Sequence, residues 1–246
     1  MITLEVACGN LASVHAAVNG GANRIELCAA LGEGGLTPSD AFIRTVLKTV
    51  EVPVFVMIRP REGDFLYSES EFSLMLDEVD RCQGLGVTGI VAGFLCKDGS
   101  IDIRRSEKLV ANAGNMQVTF HRAFDLCNSD FEALEQLIDC GFTRLLTSGQ
   151  ESSAPNGADR IAALVQRASN RIQIMAGAGV NAENVVELIK RTGVREVHLS
   201  GKKMQRSAME FTRTVLTMGK SDTDEYAIAV TDEQHIRTVR NLLDEI

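Results

Sequence analysis

The chain has 246 residues, 45% of them hydrophobic and 24% charged, with a formal net charge of −8. That balance is ordinary for a globular fold and argues against nucleic acid as a main partner, because phosphate binding needs a basic footprint. The N-terminus MITLEVACGN lacks the basic and apolar regions of a signal peptide. The longest apolar runs, such as VPVFVMI at 52–58, are too short to span a bilayer, so a cytoplasmic location away from membranes is expected.

Taken in chain order, the first strand pattern is LEVAC at 4–8. Its alternation sets Glu5 toward one face and Leu4, Val6 and Cys8 toward the other. RIELCA at 24–29 puts Glu26 and Cys28 on a shared face, and Thr37-Pro38 then reads as a helix N-cap with proline at the first helical position. PVFVMIR at 53–59 pairs Met57 with Arg59, and Arg61 follows two residues on. A helical pattern at 71–83 precedes GIVAGFL at 89–95. QVTFHRAF at 117–124 alternates Thr119 and His121 with Val118 and Phe120, with Asp125 just beyond. RLLTSG at 144–149 aligns Leu146 with Ser148, and IQIMAG at 172–177 runs into the glycine-rich turn MAGAGVNAEN and a helix at 182–192. EVHLS at 196–200 aligns His198 with Ser200. Thr231, with Gln234 three residues later, reads as a capping box opening a last helix to Ile246.

Eight such alternations at ~30 residues each are the sequence form of one (β/α)8 TIM barrel spanning 1–246. A repeat supports it: GANRIELCA, GVTGIVAGF, GFTRLLTSG and GVREVHLSG each show a glycine ending a helix, a short turn and a strand. The repeat fixes a register in which the lower barrel is apolar or neutral and the upper interior collects Glu5, Glu26, Arg59, His121 and His198. Charged residues are seldom buried without partners, and active sites of this fold lie at the C-terminal strand ends. The cluster therefore reads as a site, with His121 as general acid/base beside Glu26, Asp125 and His198. Glu5, Arg59, Arg61, Ser148, Gly177, Gly179, Ser200 and Gly201 are candidate substrate ligands. Loops after strands seven and eight often hold phosphate in this fold, and Lys202 or Lys203 could add charge there.

The six cysteines show no Cys-x-x-Cys pair, so reduced thiols are expected, with Cys82 and Cys140 as small core residues. Cys8 and Cys28 end adjacent strands, and thiolates select Cu(I). Alternation places Cys8 on the outward face, so twist at the strand end would be needed to bring the sulfurs together. Glu5, Glu26, His121 and His198 offer a harder ion an alternative, although no His-x-x-x-His spacing accompanies them. No lysine lies within strands three to seven for a Schiff base, and no Gly-x-Ser-x-Gly elbow is present.

The motifs GANRIELCAALGEGGLTPS (21–39), IRPREGDFLYS (58–68), VTFHRAFD (118–125), LTSG (146–149), MAGAGV (175–180) and EVHLSG (196–201) closely resemble the CutC family. The resemblance implies a cytoplasmic TIM barrel, a homo-oligomer, and a role in copper homeostasis with Cys8 and Cys28 as Cu(I) ligands. Residues 202–225 match that family least. Two readings stay open: a Cu(I)-binding protein, and an enzyme acting on a small anionic or phosphorylated metabolite. A ligand-binding module without turnover is a third.

Overall fold

The computed structural model describes residues 1–213, 215–216, 218 and 224–246. Eight parallel strands close a barrel: β1 (Thr3–Cys8), β2 (Arg24–Leu27), β3 (Val54–Met57), β4 (Gly89–Ala92), β5 (Gln117–Phe120), β6 (Arg144–Thr147), β7 (Gln173–Gly177) and β8 (Glu196–Leu199). The ring shuts where β8 pairs with β1, His198 lying opposite Glu5. Eight helices surround it: α1 (Leu11–Asn19), α2 (Asp40–Thr49), α3 (Glu69–Leu85), α4 (Ile103–Ala113), α5 (Asp130–Asp139), α6 (Ala158–Ala168), α7 (Val185–Thr192) and α8 (Glu233–Asp244). The TIM barrel expected from the strand pattern is the fold. No helix among the described residues is long and apolar enough to cross a membrane.

The core has two unequal parts. Outward-facing strand residues such as Leu4, Val6, Ile25 and Leu27 pack on helix residues such as Val14, Val46, Met75 and Leu164 in one continuous shell. Each such side chain contributes ~1.5–3 kcal/mol by leaving water. The inward face holds a small apolar cluster, Cys28, Phe55, Met57 and Val91. The four repeat glycines perform as expected, since Gly21, Gly86, Gly141 and Gly193 all have positive φ. Gly86 and Gly193 are left-handed helix C-caps, a conformation costly for any residue with a Cβ.

Four local expectations are corrected. Helix α2 is capped by Ser39, not Thr37; the Thr37 hydroxyl instead bonds both backbone groups of Arg59, at 2.9 and 3.1 Å, and ties the β2–α2 loop to the end of β3. Helix α8 is capped by Asp232, while Thr231 ends a strand and donates to the Ser200 carbonyl. Helix α3 begins earlier than its periodicity, at a full Ser68–Glu71 capping box. The lower barrel is not neutral: Arg24, Arg144 and Glu196 are buried there. Each lies two residues before an inward residue already recognised, so the same alternation, extended toward the strand starts, finds them.

One addition has no sequence counterpart. The strands β9 (Lys202–Arg206) and β10 (Ala227–Thr231) form an antiparallel pair outside the barrel. It is tied to α1 through Asn10 on the Ala229 carbonyl and Ser13 on the Thr231 N–H. Of the segment 202–225, residues 214, 217 and 219–223 lie outside the described residues.

Candidate functional site

Charge enters the barrel from the bottom. Arg24, on β2, donates to Glu5 and to Glu196, the latter at 2.5 Å. Arg144, on β6, donates to both oxygens of Glu196 at 2.5 and 3.2 Å, and to Thr119 and Gln117. The two guanidinium groups sit 4.9 and 5.1 Å from the centre of the Phe55 ring. Every carboxylate oxygen here has a partner, as a buried ion network requires.

One tier higher the pairing thins. His198 Nδ1 lies 2.7 Å from Glu5 Oε1, and its Nε2 lies 3.7 Å from Glu26 Oε2, beyond hydrogen-bond reach. Cys28 Sγ donates to that same Glu26 oxygen at 3.5 Å, and Glu26 Oε1 is buried with no partner. Burial pushes the Glu5 carboxyl up, but the His198 bond and the Arg24 charge outweigh it and hold the group at about 2. Glu26 receives less compensation: burial raises its carboxyl above the usual range, opposed by His198 and reinforced by Glu5. Burial works against a charged His198, and the Glu26 and Glu5 carboxyls more than offset it and raise the imidazole.

Across the interior, His121 leaves the end of β5. Its Nδ1 accepts the Ala123 N–H at 3.1 Å, and its Nε2 is buried without a partner. Burial, with the nearby Arg59 charge, depresses this imidazole to about 3, so it is neutral at ordinary pH. A neutral ring that accepts at Nδ1 carries its proton at Nε2. His121, a residue bordering the cavity, therefore carries an unpartnered Nε2–H, a group suited to donating a hydrogen bond. Gly93 makes room for it: a Cβ there would lie 2.6 Å from His121 Cε1 and Nδ1. Phe65 covers the ring at 4.8 Å between centroids, and the Arg59 guanidinium lies 5.0 Å from the Phe65 centroid.

These groups open into one cavity of about 600 Å³ at the C-terminal strand ends. Glu26, Arg59, Phe65, His121, Asp125, Gly179, His198, Ser200, Gly201 and Lys202 all border it. The size suits a small metabolite. The rim after β7 and β8 carries Ala178, Gly179 and Gly201 at φ 76°, 72° and 51°. Ala178 is a non-glycine residue in the left-handed region, held there by the Ala154 N–H on its carbonyl. No hydrogen bond among the described residues uses the N–H of Gly179 or Gly201.

Several candidates serve the walls instead. Arg59 borders the cavity, but its Nη atoms hold the carbonyls of Glu33, Gly35 and Gly63, so it clamps two rim loops, and its buried Nε is unpartnered. Arg61 lies outside the cavity, bonded to Glu71, Asp64 and the carbonyls of Glu62, Asp64 and Leu66. Asp125 accepts from Thr147, Ser148, Gln150 and Arg122, and so organises the β6 loop, with Ser148 fully buried behind it. Gly177 is a packing glycine, since a Cβ would lie 2.6 Å from Leu146 Cδ1. Phe65 escaped the sequence reading because a loop residue carries no periodicity.

The two cysteines lie at the ends of the neighbouring strands β1 and β2. Cys8 sits in the outer apolar shell beside Val6, and Cys28 in the inner group beside Met57, on opposite faces of the barrel wall. Cys8 Sγ instead donates to the Val6 carbonyl at 3.6 Å. Burial pushes the Cys8 thiol up to about 12, and burial with the Glu26 carboxyl raises Cys28 well above the usual thiol range. Two raised thiols on opposite faces would have to turn toward one another and release their protons to hold Cu(I).

The model of the CutC family matches residues 2–203. A CutC family protein from Vibrio vulnificus (strain CMCP6) is 48% identical over 240 residues, covering 97% of this chain and 95% of that protein. A solved structure from Streptococcus agalactiae, described as a copper homeostasis protein CutC, aligns with TM-score 0.78 at 34% identity, over 81% of this chain and 99% of that one. Thiamine phosphate pyrophosphorylase from Pyrococcus furiosus aligns with TM-score 0.60 at 17% identity, over 99% of this chain and 96% of that one, a likeness of fold alone. The motifs that border the cavity, from the strand carrying Glu26 to the one carrying His198, thus lie within the matched residues, and the chain belongs to the CutC family.

Proposed function

We propose that the barrel mouth is an active site for a small anionic, phosphorylated metabolite. One observation carries this: Glu26 Oε1 and His121 Nε2 are both buried, both unpartnered, and both belong to residues bordering one cavity. An unpaired buried polar group costs ~1–3 kcal/mol, and two such groups on residues bordering one cavity support a ligand that would pair them. The anionic end would lie on the rim, against the free N–H groups of Gly179 and Gly201. Lys202, which has no ion pair among the described residues, and the field of Arg59 add positive charge. The reacting end would meet His121 as donor to a developing negative charge, above the polar floor of Glu26 and His198.

Screening phosphorylated metabolites by thermal shift tests this. A true ligand at a hundredfold its dissociation constant adds about 2.7 kcal/mol of stability. Lys202→Ala should weaken binding several-fold, and Arg59→Lys should weaken it further by releasing the rim loops. His121→Gln should keep binding and remove turnover. If no such compound shifts the midpoint, the reading fails.

The copper assignment of the family supports a second reading, Cu(I) as cargo on Cys8 and Cys28. Their placement on opposite faces counts against it. A Cys8→Ser/Cys28→Ser variant that binds Cu(I) as well as the parent, against a competing chelator, would end it. The homo-oligomer implied by the resemblance finds support in Met204, Phe211 and Ile228, exposed on and beside the β9–β10 pair, and sedimentation would read it. Six unpaired thiols agree with a reducing, cytoplasmic setting.

A further inference from the structure

The geometry points to a divalent transition-metal site at the floor of the mouth, with His198 Nε2 and the Glu26 carboxylate as ligands and Glu5 orienting the imidazole. The spacing is the first argument. Two donor atoms each ~2.1 Å from one ion, at a tetrahedral angle, stand ~3.4 Å apart. His198 Nε2 and Glu26 Oε2 stand 3.7 Å apart, too far for a hydrogen bond and about right for a shared ion.

The second argument is orientation. Metal-bound histidine almost always donates its other ring N–H to a carboxylate or carbonyl, which fixes the tautomer and the aim of the ligating nitrogen. His198 Nδ1 does so to Glu5 Oε1 at 2.7 Å, and the other Glu5 oxygen is anchored by Arg24. Glu5, Glu26 and His198 bring one ligand-type atom each within 4.8 Å of the others.

The third observation is independent of that trio. His121, 4% exposed, borders the same cavity as Glu26 and His198, and its Nε2 is unpartnered. A substrate oxygen on the ion could accept from it. Glu26 Oε1, also unpartnered, allows the carboxylate to bind through either oxygen. One nitrogen and one carboxylate suit Zn2+, Mn2+, Fe2+ or Co2+ rather than Cu(I). With two protein ligands, water and substrate complete the shell, as an open catalytic site needs.

This deepens the active-site reading but rests on it only for the ion's use, not for its binding. The test uses full-length protein stripped with a chelator, titrated with Zn2+ by calorimetry and with Co2+ by visible absorption. One equivalent per chain is expected, with Co2+ bands of nitrogen and oxygen coordination. Glu26→Gln and His198→Gln should each lower affinity at least tenfold. Glu5→Gln should lower it ~10–100-fold, the usual effect of losing an outer partner of a ligand. Cys8→Ser/Cys28→Ser should bind as the parent does. No stoichiometric binding by the parent, unchanged affinity in folded Glu26→Gln, or an intense thiolate-to-cobalt band would each overturn the site. The parent spectrum decides even if a variant fails to fold. Phosphate binding by metal-free protein is measured separately, so the anion reading can fail without this one.

Discussion

In the lower barrel, Glu196 lies between Arg24 and Arg144, and every guanidinium there has a carboxylate, amide or hydroxyl to hold. A few ångströms higher, Glu26 and His121 are buried as deeply, yet each keeps an atom with no partner. The lower tier closes on itself and serves the fold. The upper tier is left open toward a cavity and serves a ligand. Burial and charge alone do not distinguish a site from a structural network; unpaired atoms on residues that border a cavity are what set the upper tier apart.

That contrast breaks most visibly at Glu196. Glu196→Ala takes from buried Arg144 its only carboxylate among the described residues and from Arg24 one of its two, and removing one partner of a buried pair typically costs ~3–5 kcal/mol. Urea unfolding should show a loss of that size. Next in size is Gly93→Ala, whose new Cβ would lie 2.6 Å from the His121 ring. Overpacking of that kind costs ~1–3 kcal/mol, and the displaced imidazole should show as a shifted His121 ring resonance.

The third effect is a pH dependence. The folded pKa of His121 is depressed from 6.5 to about 3, so the unfolded chain binds its proton first. The stability this gives is complete above pH 6.5 and is lost as pH falls from there toward 3, at ~1.4 kcal/mol per pH unit. His121→Gln should remove that slope from an acid-unfolding series while leaving the contributions of the carboxylates. The smallest change is expected at Glu26, where Glu26→Gln removes a poorly compensated buried acid. Its thermal midpoint should stay level or rise, by no more than ~1 kcal/mol in stability, opposite in sign to Glu196→Ala. A Glu26→Gln loss matching that of Glu196→Ala would mean the two tiers do the same work.

Much of this was legible in the residues. Period-2 alternation carried the eight strands and set Glu5, Glu26, His121 and His198 toward the interior, because a strand buried on both faces leaves its side chains only two directions. The same rule covers Arg24, Arg144 and Glu196, which lie one inward position nearer the strand starts. What alternation does not encode is which buried group finds a partner. Alternation sets Arg59 toward the interior and leaves Arg61 just beyond the strand, and only the folded rim shows each bonded to backbone carbonyls. Cys8 and Cys28 are near in the ladder, where the Cys28 N–H donates to the Cys8 carbonyl, yet that step of one residue sends their sulfurs to opposite faces. The β9–β10 pair was missed because Lys202–Arg206 has no buried face to pattern.

The central claim is that the open tier is a binding site, and a crystal structure grown with inorganic phosphate or a metabolite found by thermal shift tests it most directly. The account predicts ordered density with its anionic oxygens on the Gly179 and Gly201 amides beside Lys202, and a polar atom ~3 Å from His121 Nε2. At saturating ligand, a mouth without that density, with the compound bound elsewhere on the chain, would contradict it.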